Sequence, residues 1–147
     1  MNKFLSPLLF LLIAIVFGSC CDRLKGSSQV GDLEEVRWLL VDFDNRAVPS
    51  SGIVVTFDSQ DKMVYGQSPC NNFFASYSLD HRKGQNITIG SVANTLKLCP
   101  DVDTTISEAL AARLQGVKEV RIEAHSLLMF DAQGALVAIF ERQQQEE

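Results

Sequence analysis

From Val36 onward the apolar residues of this chain fall on alternate positions in short runs, a period of two that marks strands with one buried face. Eight such runs can be marked: Val36 to Phe43, Ile53 to Asp58, Met63 to Gly66, Phe73 to Leu79, Asn86 to Ile89, Val117 to Glu123, Ser126 to Asp131 and Ala135 to Glu141. They are rich in Val, Ile, Phe and Tyr, which suit a pleated, half-buried surface. Polar loops at Ser59-Gln60-Asp61, Asp80 to Gly84, and Asp131-Ala132-Gln133-Gly134 predict three hairpins. One stretch has a different period. Ile106, Leu110 and Leu114 recur at helical spacing, with Ala109 and Ala111 beside them, and predict a helix of about three turns. Asp103 or Thr105 is placed to cap its start, Thr105 through a capping box with Glu108, and Gly116 to end it. The elements together predict a mainly β domain with one helix, and no internal repeat points to a solenoid or propeller.

Before this domain the pattern is that of export. Lys3 is followed by an unbroken apolar run, Leu8 to Phe17, and then by Gly18, Ser19 and Cys20. A basic start, a short apolar core and small residues before a cleavage point describe a secretory signal. The run is shorter than the roughly 20 residues a membrane span needs. Phe17-Gly18-Ser19-Cys20 resembles a lipobox, with Cys20 as the lipidated residue and adjacent Cys21 a poorer candidate. The expectation is a signal peptide over 1–19, a lipid-bearing Cys20 and polar tether over 20–33, a domain over 34–142, and a polar tail over 143–147. The predicted location is the bacterial cell envelope, with membrane attachment through the N-terminal lipid.

Composition narrows the partners. The chain of 147 residues has a formal net charge of −5, which becomes −6 once Lys3 leaves with the signal. It carries no basic run with interleaved aromatics, so nucleic acid is not an expected partner. Acidity also gives no general pull toward anionic lipid.

Cys70 and Cys99 remain in a chain bound for an oxidising compartment, where a disulfide is the default. Closing a loop of 29 residues would contribute roughly 3 to 4 kcal/mol. A zinc site with His81 and His125 lacks the close pair spacing such sites use, and a reactive thiol lacks a nameable base. Gly66-Gln67-Ser68-Pro69-Cys70 is an incomplete nucleophile elbow. The pairs Asp42/Asp44 and Asp101/Asp103 read as turn and cap residues. The sequence thus predicts no catalytic residues, no metal site and no cofactor.

The stretch Gly66-Gln67-Ser68-Pro69-Cys70-Asn71-Asn72-Phe73-Phe74-Ala75-Ser76-Tyr77 resembles the hallmark of the META domain family, the HslJ-like envelope proteins: G-x-x-G-C-N-x-(F)-x-G-x-Y. Thr95-Leu96-Lys97-Leu98-Cys99 matches the family's later T-x-x-x-C, and Trp38-Leu39 its early landmark. Pro69 and Ala75 stand where the family has glycine. The resemblance implies a compact antiparallel, barrel-like sheet of lipocalin-like topology with one packed helix. It carries Trp38, Gly66, Asn71, Phe74, Tyr77 and Thr95 over in structural roles and brings no catalytic residue. Two functions follow as expectations. One is a structural or stress-linked envelope protein acting by contact with another protein or the cell wall. The other is a binding module for a small apolar ligand, which an incompletely filled barrel could hold.

Overall fold

The computed structural model describes residues 33–80 and 86–143. Cys20, Cys21, His81 and the signal and most of the tether therefore lie outside the described residues. In chain order the elements are β1 (Arg37–Phe43), β2 (Arg46–Ala47), β3 (Val54–Asp58), β4 (Met63–Gln67), β5 (Asn72–Asp80), β6 (Asn86–Ile89), β7 (Ala93–Asn94), α1 (Thr105–Leu114), β8 (Val117–Glu123), β9 (Ser126–Asp131) and β10 (Leu136–Arg142).

Eight of these strands close an antiparallel barrel in the order β1-β3-β4-β5-β6-β8-β9-β10 and back to β1. Closure pairs Trp38 with Arg142 and Phe43 with Ala138, which removes the open edges a sheet of this size would otherwise expose. The β6–β8 seam is the thinnest, with Asn86 opposite Glu119 as its one bridged pair. Two short pairings went unmarked in the sequence. β2 folds back on β1 through Asp44-Asn45, both at positive φ, and β7 lies beside Phe73 and Phe74 of β5. Two left-handed residues in succession make a tight turn whose twist matches the strands, a geometry Asn and Asp tolerate.

The turn residues act as the polar clusters suggest. Asp58 Oδ1 accepts the N–H groups of Gln60 and Asp61, 2.8 Å each, and turns β3 into β4. Asp131 Oδ1 accepts those of Gln133 and Ala135, 2.9 Å each, with Gly134 at φ +76°. The helix start differs from expectation. Thr104 is the N-cap, and its hydroxyl donates to Glu108 Oε1 (2.7 Å) instead of accepting a backbone N–H. Asp103 Oδ1 accepts the Thr105 N–H (2.9 Å), so the capping box on Thr105 does not form. At the other end Gln115 stays right-handed and the Gly116 N–H bonds Arg113 O (3.0 Å), so Gly116 needs no left-handed turn.

The interior is filled by the inward side chains of all eight strands. Trp38, Leu40, Val55, Phe57, Val64, Leu127, Met129 and Phe140 are each at most 1% exposed. One mouth is closed by α1, whose Leu110, Ala111 and Leu114 join the core and whose Arg113 reaches Asp44 in the β1–β2 turn (3.1 Å). The opposite mouth is closed by Leu33, fully buried, whose carbonyl accepts the Trp38 indole N–H at 3.0 Å. The domain therefore begins before the expected boundary at 34, because Leu33 is a plug and not part of the tether. It also runs one residue further at the end: the Gln143 N–H donates to Arg37 O (2.9 Å), extending the sheet into what the sequence marked as tail.

Candidate functional site

The motif residues do not converge on a reaction centre; they build a clasp. Cys70 lies in the β4–β5 loop and is joined to Cys99 by a disulfide, with Cα atoms 6.0 Å apart. This occupies both thiols, so neither is a metal ligand or a nucleophile. Asn71, next in line, holds the segment that leads to Cys99. Its Oδ1 accepts from Thr95 Oγ1 (2.9 Å) and from the Lys97 N–H (2.8 Å), and its Nδ2 donates to Lys97 O (3.4 Å). Thr95 Oγ1 in turn accepts the Asn72 N–H (3.0 Å), and Thr95 N–H donates to Asn72 O (2.9 Å). An amide side chain offers both acceptor and donor, which is why Asn fits here and an apolar residue would not.

The clasp holds out two leucines. Leu96 and Leu98 are 93% and 98% exposed, on either side of Lys97. Between this strap and the first turn of α1 lies an open groove of about 210 Å³, bordered by Asn71, Phe73, Asn94, Leu96, Ser107 and Glu108. A second depression of about 430 Å³ runs along the outside of β5 and β6 by Ser78, Asp80, Asn86, Thr88 and Lys118. Neither brings together an acid, a base and a nucleophile.

The other motif residues organise the barrel. Gly66 faces inward directly opposite Phe73, whose ring lies across it: a Cβ on Gly66 would sit 2.0 Å from that ring. The inward aromatic of the motif is therefore Phe73. Phe74, the residue assigned from sequence, points outward and is 41% exposed, because the pleat sends successive side chains to opposite faces. Ala75 takes an inward place at 2% exposure, so the larger residue at this glycine position is absorbed by the core.

Trp38 and Tyr77 shape the plugged mouth. The Tyr77 ring meets Phe57 edge-on, centroids 5.2 Å apart, while its hydroxyl reaches Glu34 Oε1 at 2.5 Å and the Asp58 carbonyl at 3.1 Å. Lys62 pairs with the same Glu34 oxygen (2.8 Å). Burial pushes the Tyr77 phenol well above its ordinary value, with the bond to Glu34 and the negative charges of Glu34, Asp58 and Glu35 adding to the rise. Tyr77 is thus a protonated donor that pins the incoming chain. Glu34 and Leu33 were invisible in the sequence as site residues, since nothing local distinguishes them from a tether.

The META domain model matches residues 31–144. The chain belongs to the META domain family. This META domain also matches solved structures at the level of fold. A protein from Burkholderia xenovorans, solved by NMR, is similar with a TM-score of 0.64 and 18% identity, covering 86% of this chain and 94% of its own. A second NMR structure gives 0.56 at 21% identity, covering 76% and 92%. The crystal structure of a DUF4847 family protein from Bacteroides vulgatus ATCC 8482 gives 0.55 at 14% identity, covering 78% and 96%. No curated protein matches. The META barrel is accordingly the whole described unit, with the motif at its strap end.

Proposed function

We propose that this META protein is a non-catalytic lipoprotein of the bacterial cell envelope, anchored by lipid on Cys20 and acting through contact of its outer surface with other envelope components. The observation that carries the contact reading is the filled interior. Trp38, Phe57 and Phe140 are fully buried in the core, α1 covers one mouth and Leu33 the other. Core side chains of the described residues pack the barrel interior, which supports recognition through its exterior. The anchor reading is supported by Lys3, the apolar run Leu8 to Phe17, and Gly18-Ser19-Cys20. The disulfide suits an oxidising compartment. The link to envelope stress rests on the resemblance to the HslJ-like proteins alone.

Two measurements test this. Cys20→Ala should move the protein out of the membrane fraction or leave it unlipidated by intact mass; a lipid-bearing Cys20→Ala protein would overturn the anchor. Crosslinking in cells, with and without envelope stress, should recover partners through exterior positions. No crosslink under either condition, together with a lipid retained in native mass spectrometry, would favour the ligand-binding module.

A further inference from the structure

The exposed large apolar side chains among the described residues, Tyr65, Phe74, Leu96 and Leu98, gather on one side of the barrel. Tyr65 and Phe74 are directly opposite one another on the outer face of β4 and β5. The strap carrying the leucines is fixed to the same β5, through Ala93 opposite Phe74 and Thr95 bonded to Asn72. Between the mouths the outward strand positions of this side carry no charge, while the strap carries Lys97, exposed between its two leucines, and Glu108 of α1 borders the groove beside Leu96. Along β4 and β5 the outward positions from Tyr65 to Ser78 are Tyr65, Gln67, Asn72, Phe74, Ser76 and Ser78. Thr56 of β3 and Thr88 of β6 flank them. Further charges lie at the borders of this side: on β8, where Glu119 pairs with Arg121 (2.7 Å) and Lys118 reaches the depression beside Thr88, and at the plugged mouth, where Asp58, Lys62 and Asp80 stand.

The chain enters on this same side. Glu34 bridges to Phe57 of β3 and bonds Tyr77 of β5, so the described chain begins at the β3–β5 rim. From Cys20 to Leu33 there are 13 steps of chain, which span at most about 45 Å. β5, nine residues long, measures about 30 Å. A tether of this reach lets the barrel lie lengthwise on the surface that holds its lipid, and holds it too close to that surface to sample all orientations equally.

We propose that the outer face of β3 to β6, with Leu96 and Leu98 at its far end, lies against the lipid bilayer that carries the Cys20 anchor. This rests on the anchoring proposed above. Leucines protruding from a disulfide-tied strap enter the acyl boundary, and Tyr65 sits at the headgroup level, where an aromatic ring with a polar tip is favoured. Lys97, exposed between the two leucines, can keep its ammonium at the headgroup level while its stem lies along the apolar boundary. The orientation turns β8 to β10 and their charged residues toward the compartment, where a protein or wall partner would meet them.

Hydroxyl-radical footprinting tests the proposal. The lipidated chain on phosphatidylethanolamine/phosphatidylglycerol vesicles is compared with the unlipidated mature chain in buffer. Oxidation of Tyr65, Phe74, Leu96 and Leu98 should fall at least threefold, with Leu128 and Phe130 of β9 unchanged. Replacing the phosphatidylglycerol by phosphatidylcholine should leave the protection intact. Leu96→Ser with Leu98→Ser, at positions that pack against nothing, should return Tyr65 and Phe74 toward the buffer level. A chain that floats with vesicles yet shows all four residues oxidised as in buffer overturns the proposal and leaves the anchor standing. Protection in native membranes but not on pure lipid overturns it in favour of a protein partner. A chain with no lipid on Cys20 that fails to float overturns the anchor, and the proposal with it.

Discussion

Gly66→Ala is the sharpest test of how this barrel is packed. The Cβ it adds would fall 2.0 Å from Phe73 Cε2 and Cζ and 2.4 Å from Cε1, inside the ring's own volume. Carbon atoms rest about 3.5 to 4.0 Å apart, so the ring must withdraw by about 1.5 to 2 Å. Phe73 is 3% exposed and belongs to the core cluster, leaving it no free direction. Overpacking of this kind costs about 1 to 3 kcal/mol, occasionally more. The loss of glycine's backbone freedom in the unfolded chain returns about 0.4 to 1 kcal/mol. A net destabilisation of about 2 kcal/mol is expected, read as a lower urea midpoint and a Tm lower by roughly 8 °C with the disulfide intact. A double-mutant cycle isolates the cause: with Phe73→Leu in the background, Gly66→Ala should cost under about 1 kcal/mol. An equal cost in both backgrounds, or a single mutant within about 0.5 kcal/mol of the parent, would refute the steric account.

Other consequences can be checked alongside. Cys99→Ser should lower stability by about 3 to 4 kcal/mol in urea titrations and make the 95–104 strap the first site of proteolysis, whereas the parent under non-reducing conditions resists it. Asn71→Ala removes three bonds to Thr95 and Lys97 and should cost about 2 kcal/mol, with faster amide exchange at Thr95 and Lys97 as its signature. Because Tyr77 has a raised folded-state value, its protonated form is held by the native state. Its contribution is full below the ordinary phenol value of about 10 and is lost as pH rises beyond it. Stability should therefore fall above pH ~10 in the parent, and the fall should be shallower in Tyr77→Phe, which lacks the group; parallel profiles would show that Tyr77 does not titrate with unfolding.

The leading part of this fold is local, and so the sequence alone determined it. Alternation of side chains is a property of each strand by itself, and Asp58, Asp131 and Gly134 turn the chain through their own neighbours. The strands, the helix and two of the hairpins are legible for that reason, and so is a pairing of Cys70 with Cys99 once export is read from Lys3 to Cys20. The family motif marked the clasp without saying what it clasps.

Tertiary structure decided what depends on residues far apart in the chain. Trp38 meets Arg142 only because the sheet closes on itself, and Asn71 finds Thr95 and Lys97 only once β5 has placed them side by side. Leu33 reads as tether by composition, yet the open mouth beside Trp38 draws it inside. Gly66 is needed for space, which no dihedral preference or turn pattern signals, since its demand comes from the Phe73 ring on the neighbouring strand. Likewise, that Tyr65, Phe74, Leu96 and Leu98 share one side is a fact of strand order, because the sheet collects on a single face what the chain spreads over more than thirty positions.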